Sequence, residues 1–427
     1  MPRMIIEGSI RGCSNDAPDD ATPSCYVDLC VTPRPTDPMT VRRILMISSL
    51  WPPVVLGGAE SYASALAEQL RARGGEVGVL TFGVGGADVV STVSPWPYRL
   101  EAYASKGAAS RSAFHLLDVY RPAAPRAIHE AIDAFRPDVV HTHAVSGLSS
   151  AALAIRDRTG IGHVHTIHDY WLLCQRSSLL KRNGGACDTR CLSCRAISTI
   201  RNKIIDRHPP DVVLAVSEAV AVEHRSIAWI RDRLRVVHNP VVRTSRNSPT
   251  GNGVVFGYLG RLTRDKGVAT LVAAFEAADL PQSARLLIGG GGPLSETLAA
   301  RASNRIELLG WLDNTARGHF YERIDALVVP SEWKDPAPLV VNEARARNIP
   351  VIGASIGGIP ELIAPSSRPF LFRPGDRKEL SERLRSFANA PVGTSADADD
   401  GLLDWDEHLK LVMDAYETAC GIAQKRT

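Results

Sequence analysis

The strongest constraint on this chain is a rhythm that occurs twice. Short apolar runs ending in small or polar residues alternate with helical stretches, first at 41–49, 77–82, 138–142, 163–167, 211–216 and 235–237. A Ser/Thr/Asn/Gly-rich stretch over 244–253 interrupts it, and it restarts at 254–259, 284–288, 305–308, 325–329, 350–353 and 370–372. Strands separated by helices pair in parallel through crossovers, so the pattern predicts an α/β chain of two doubly wound, Rossmann-like domains. Ligands bind such sheets at the carboxyl ends of strands, and two sheets facing each other place a site in the cleft between them.

The expected organisation is a leader without period over 1–40 and an N-terminal, acceptor-side domain over 41–243. A linker over 244–253 joins it to a C-terminal domain over 254–392. A second linker over 393–404 leads to a last amphipathic helix over 405–427, with Trp405, Leu409, Val412, Met413 and Tyr416 on one face. In the leader Pro and Asp recur, Cys13, Cys25 and Cys30 carry no evident chemistry, and Met39 reads as an alternative start. The 427 residues hold 49 Lys and Arg against 46 Asp and Glu, a net +3 too small to indicate nucleic acid as partner. No run approaches the ~18 apolar residues of a membrane-spanning helix, and residues 1–40 have no apolar signal core. The expectation is a cytoplasmic protein with reduced thiols.

Three motifs follow strands. Gly57-Gly58-Ala59-Glu60 stands between the opening strand and a helix; the glycines let backbone approach a ligand, or simply make a tight turn. Gly260-Arg261 with Lys266-Gly267 places two cations five residues apart at a strand's end, suited to a pyrophosphate. In the stretch 330–344 a helix is expected to begin near Pro336 to Pro338, with Asp335 at its entry and Glu343 two turns inside. Read alone, Asp335 is a cap and Glu343 an ion-pair partner.

Together with Gly357-Gly358-Ile359-Pro360-Glu361, these motifs resemble, in order and spacing, those of the retaining glycosyltransferases of family 4, which have the GT-B fold. The resemblance runs from about Val41 to the last helix. It implies an NDP-sugar donor on the C-terminal domain and a hydroxyl acceptor, lipid-linked in one reading, on the N-terminal one. The last helix crosses back to the first domain in that family. Carried over by motif, Arg261 and Lys266 neutralise the donor diphosphate and Glu343 holds the ribose hydroxyls. Gly57 and Gly58 face the phosphates, Leu339 and Val340 line the donor, and Asp335 contacts the transferred sugar. The family usually has Glu where Asp335 stands, and Glu332, three residues earlier, is an alternative for that contact. With two cations to take the leaving charge, no metal is required; the Asp-x-Asp pair Asp397 and Asp399 lies in the second linker, not at a strand end. The setting implied is cell-surface polysaccharide or glycolipid synthesis. A non-catalytic sugar-nucleotide-binding subunit is the alternative, and a sugar-nucleotide epimerase a weaker one.

Two strands end in histidine, at His141-Thr142-His143 and at His168, followed by Asp169. Lone histidines at strand ends are commonly core residues; the resemblance implies that His143 sits beside the sugar, with His168 and Asp169 on the acceptor side. Cys174, Cys187, Cys191 and Cys194 fall within 21 residues, a count that fits a structural zinc and equally a disulfide or packed thiols. Between Arg176 and Arg235 twelve Lys and Arg meet six Asp and Glu, a surplus that suits a solvated face or an anionic membrane surface.

Overall fold

The computed structural model describes residues 40–426 except 84, 85, 87, 157, 182–184, 186, 188, 245–252 and 391–400. The leader to Met39, Asp397, Asp399 and most of both linkers lie outside the described residues.

The chain forms two parallel sheets. The first contains β1 (Arg43–Ser48), β2 (Glu76–Phe82), β3 (Val89–Val93), β4 (Val139–Thr142), β5 (Gly162–Ile167), β6 (Val212–Ala215) and β7 (Leu234–Val236), in the order 3-2-1-4-5-6-7. The second contains β8 (Val255–Leu259), β9 (Arg285–Gly289), β10 (Ile306–Gly310), β11 (Ala326–Val329) and β12 (Val351–Gly353), in the order 10-9-8-11-12. Helices cover both faces, so the architecture is the expected pair of Rossmann-like units of the GT-B fold. Continuous apolar strands follow from burial on both sides. Leu45, Ile47 and Val140 enter one core cluster while their neighbours Ile44, Met46 and Val139 enter the other.

Two strand assignments change. Residues 370–372 make no strand: a 3-10 turn, Pro365–Phe370, fills the place, and a single bridge joins Phe372 to Ala354. Pro369 has no N–H to give a ladder, which limits pairing there. Conversely β3 was not expected; only Val93 in it is fully buried.

The helix Trp405–Gln424 is closed at its start by a capping box in which the Asp404 side chain accepts from Glu407 N at 2.8 Å and Glu407 accepts from Asp404 N at 3.0 Å. It packs on β4, β5 and β6 and buries Leu409, Val412 and Tyr416 among the first sheet's residues. Burial of Leu409 and Val412 contributes about 1.5–3 kcal/mol each.

On the sheet's other face a polar cluster ties four segments together. The Asp118 carboxylate accepts from Gly147 N (2.5 Å), Trp171 Nε1 (2.7 Å) and Arg201 Nη2 (2.6 Å). Arg201 also donates to Trp171 O at 2.8 Å and lies 4.1 Å over the Trp171 ring. Neither charge reaches solvent, at 0 % and 1 % side-chain exposure.

Candidate active site

Where strand order reverses in an open parallel sheet, the loops leaving the two strands diverge and open a crevice. The first sheet reverses between β1 and β4, the second between β8 and β11. Gly57 and Gly58 follow β1, His143 follows β4 directly, residues 260–267 follow β8 and residues 330–338 follow β11. The three sequence motifs therefore occupy the two switch points.

Close backbone approach builds the loops of the second sheet. Gly267 has φ +71°, and a Cβ there would lie 1.8 Å from Pro330 O, so only glycine lets the β8 loop rest on the β11 loop. Gly357, at φ +59°, meets Asp335 O in the same way. These contacts aim Lys266 at Asp335: Lys266 Nζ donates to Asp335 Oδ2 at 2.5 Å and stands 5.1 Å from the Trp333 ring centroid. Ser331 Oγ donates to the same carboxylate oxygen at 3.3 Å. Glu332 is turned elsewhere, accepting from Thr270 Oγ1 at 2.5 Å, so of the two candidate carboxylates it is Asp335 that meets Lys266. Arg261 is more than half exposed, with Asp265 3.7 Å away. Glu343 is buried, its two oxygens 2.6 Å from Arg317 Nη2 and its Oε2 also 2.6 Å from Tyr321 Oη. The ion-pair reading of Glu343 thus describes its contacts in this structure.

The two sheets meet through these loops. A Cβ on Gly58 would lie 3.1 Å from Leu339 Cδ1, which starts the helix Leu339–Arg345; Val340 follows it. Lys334 Nζ pairs with Glu223 at 2.5 Å. The Glu361 carboxylate accepts from Glu218 N and Ala219 N, at 2.8 and 2.9 Å, at the start of the helix Glu218–His224. Burial pushes the Glu361 carboxyl up, but His238 and those two amides outweigh it and hold it below its ordinary range.

On the first sheet, Glu60 caps the helix Gly58–Ala72, accepting from Gly57 N at 2.9 Å. Burial raises Glu60 to about 7, against the pull of its backbone bonds and of Arg261 across the interface. Asp169, which accepts from Trp171 N at 2.8 Å, is raised by burial to about 6. Two carboxyls near neutrality thus stand on the first sheet, Glu60 in the field of Arg261 and Asp169 in that of Arg201. A carboxyl raised by folding stabilises most below its unfolded value and loses that contribution as pH climbs through its folded value. Stability should therefore fall by up to about 3 kcal/mol between pH 4.5 and about 7 on account of Glu60. Urea midpoints measured across that range should flatten in Glu60→Gln; an unchanged slope would assign the titration to another group.

The histidines divide. His141 is a core residue, bonded at 2.8 Å to both Tyr416 Oη and Thr166 Oγ1. His143 Nδ1 and His168 Nε2 share a hydrogen bond at 3.2 Å, and His143 Nε2 is buried with no partner among the described residues. Burial, helped by the neighbouring imidazoles, holds His143 well below its ordinary range, and burial takes His168 down to about 3. Both rings are neutral at pH 7.

Of the four cysteines, Cys194 lies within electrostatic reach of Cys174 and Cys191. Cys191 Sγ is 3.2 Å from Ser193 Oγ, and Cys187 Sγ donates to Thr189 O at 3.4 Å. Among the described residues no three His, Cys, Asp or Glu side chains are placed to hold a metal. The basic segment is partly neutralised: Arg201 is buried on Asp118, and the exposed Arg235 and Arg225 pair with Asp414 and Glu218.

Spacing alone did not single out Glu60, Arg317 or Tyr321. Glu60 stands inside a quoted motif, where a carboxylate three residues after a cap is a visible signal. Arg317 and Tyr321 lie on the helix Asn314–Arg323 with no local pattern to mark them.

Two parallel sheets with motif loops at both switch points define a class, and the chain belongs to the glycosyltransferases of the GT-B fold. Residues 56–244 match Glycosyltransferase Family 4 and residues 253–389 match Glycosyl transferases group 1. A glycogen synthase of Mycobacterium tuberculosis is 26% identical over 82% of this chain and 87% of its own length. A sulfoquinovosyl transferase of Arabidopsis thaliana is 25% identical over 85% of this chain and 71% of its own. Among solved structures, sucrose-phosphate synthase from Thermosynechococcus elongatus superposes with a TM-score of 0.68 at 20% identity, covering 89% of this chain and all of that one. HepE of Anabaena, in complex with UDP and glucose, gives 0.63 at 18% identity, covering 88% of this chain and 99% of its own.

Proposed function

We propose that this glycosyltransferase is a retaining enzyme that moves a sugar from an NDP-sugar to a hydroxyl acceptor in cell-surface polysaccharide or glycolipid synthesis. The observation that carries the reading is that Arg261 and Lys266 both stand in the loop leaving β8 at the second sheet's switch point, with Arg261 acting on Glu60 of the first sheet. Two fixed cations there favour the charge that develops on a departing diphosphate. The bond between the anomeric carbon and the diphosphate oxygen breaks with its electrons going to oxygen. The acceptor oxygen forms the new bond on the same face and passes its proton to the departing phosphate. Lys266 bridges phosphate and Asp335, so the carboxylate stands beside the cationic sugar. His143, neutral, offers Nε2 as a hydrogen-bond partner to the sugar or the acceptor, with His168 fixing its ring. Glu343 reaches the ribose by exchanging one of its present partners.

Support for the setting comes from relatives. A teichuronic acid biosynthesis glycosyltransferase of Bacillus subtilis is 26% identical over 44% of this chain and 50% of its own length. HepE was solved with UDP and glucose, and Arabidopsis starch synthase IV with ADP and acarbose. Among the described residues no helix is long and apolar enough to cross a membrane. We assign the enzyme to the cytoplasmic membrane face, acting peripherally on a lipid-linked acceptor.

Thermal shift against a panel of nucleoside diphosphates and their sugars tests the donor. A true donor at ~100 times its Kd stabilises by about 2.7 kcal/mol. The expected sequel is slow release of NDP from that donor alone. Stabilisation without any NDP release, even with acceptor extracts, would instead favour a non-catalytic binding subunit, the reading that the shortened Asp335 supports.

A further inference from the structure

A second concave site lies away from the cleft. Between the helix Ala123–Phe135, the turn Ser150–Ala152 and the end of the helix Leu192–Ile205 is a cavity of about 300 Å³. Ile128, Ile155 and Ile204 line it, with Arg156, Arg207 and His208. Arg156 precedes β5 and Arg207 precedes β6, so the cavity opens near the amino ends of the strands, whereas the donor loops leave the carboxyl ends. Both arginines are exposed, and no carboxylate among the described residues pairs with either.

The helix that ends at this cavity is built to lie on an interface. Leu192, Ala196, Ile200 and Ile204 recur every fourth residue and form one row along it. Leu192 is 82 % and Ile200 50 % exposed, and Ile204 is the row's last member, inside the cavity. The adjoining row is Arg195, Thr199, Lys203 and Arg207. Asp206 is the single acidic residue between Thr189 and Pro210. An apolar row beside a cationic row is the pattern of a helix resting in a lipid headgroup layer. A site with an apolar floor and unpaired arginines at its mouth takes a molecule of the complementary kind, anionic at one end and hydrocarbon at the other.

We propose that this face docks on an anionic bilayer, with Arg156 and Arg207 holding the phosphate of one phospholipid and the cavity receiving the start of its acyl chain. The proposal deepens the membrane reading above and rests on it, but not on the donor chemistry.

The test is cosedimentation of the full chain with phosphatidylcholine vesicles with and without phosphatidylglycerol. Wild type should partition onto the anionic vesicles and scarcely onto the neutral ones. The double variant Arg156→Gln, Arg207→Gln should bind them roughly 30-fold less well, two factors of about five from about 1 kcal/mol per cation near an anionic surface. Ile200→Asp should weaken partition as well. If the double variant melts early, Arg207→Gln alone carries the test with a roughly fivefold loss. Wild-type partition indifferent to phosphatidylglycerol, or equal partition of the variants, overturns the proposal. So does stabilisation by inorganic phosphate that the double variant loses while vesicles fail to bind, which would mark a free-phosphate site. NDP release from the donor, read in the same preparations, should be unchanged in these variants. Its absence in wild type would fail the enzyme reading without touching this one.

Discussion

Lys266→Ala and Arg261→Ala should each lower sugar transfer by 10²–10³-fold, read as NDP released per enzyme at saturating donor, since one preorganised charge partner is worth about 3–4 kcal/mol in the transition state. The two differ in what else they disturb. Arg261 is more than half exposed and its Asp265 contact is long, so its loss should leave the melting temperature in place. Lys266 balances Asp335, a carboxylate only 7 % exposed in its side chain, and its removal leaves that charge with Ser331 Oγ as its remaining side-chain partner among the described residues. Lys266→Ala should therefore lose stability as well as turnover, by an amount typical of a broken buried pair, about 3–5 kcal/mol less whatever water enters the gap. Near-normal turnover in either variant would sink the roles given to these cations.

Asp118→Ala should cost about 3–5 kcal/mol of stability, because it leaves the buried Arg201 guanidinium uncompensated and frees Gly147 N and the Trp171 indole N–H. The loss belongs to the first sheet's side of the molecule, where residues 118, 147, 171 and 201 come together from four segments. Hydrogen exchange should show it as deprotection around these segments with the second sheet's amides unchanged. A joint replacement of Asp118 and Arg201 by apolar residues of similar volume should recover much of the loss, since a buried pair deleted whole removes two desolvation costs together. If Asp118→Ala melted like wild type, the cluster would be an ornament on a fold secured by its apolar contacts.

Most strands were legible because a strand buried on both faces must be written in apolar residues, and that signal is local. Residues 370–372 carried the same signal and yet pair only once, since pairing needs N–H groups and space at a sheet edge that sequence does not display. The motif loops were legible for a related reason. A loop that must rest on its neighbour needs glycine, and Gly267 after β8 and Gly357 after β12 record that demand in the sequence. Partner choice was not legible. Glu343 reads as a ribose ligand by motif, but its oxygens meet Arg317 and Tyr321, more than twenty residues earlier on a different helix. Glu332 and Asp335 look interchangeable on paper, and packing alone sends one to Thr270 and the other to Lys266.

The amino-acid sequence by itself settled the repeating α/β rhythm, the two-sheet architecture and the residues available to the cleft, since periodicity and turn chemistry act over a few residues. Only the tertiary structure decided which charges are balanced, that His143 Nε2 has no partner among the described residues, and that Ile128, Ile155 and Ile204 converge beneath two arginines that no described carboxylate pairs. Those outcomes depend on segments far apart in the chain being brought into van der Waals and hydrogen-bond range, where distance and burial, not residue type, set the energy.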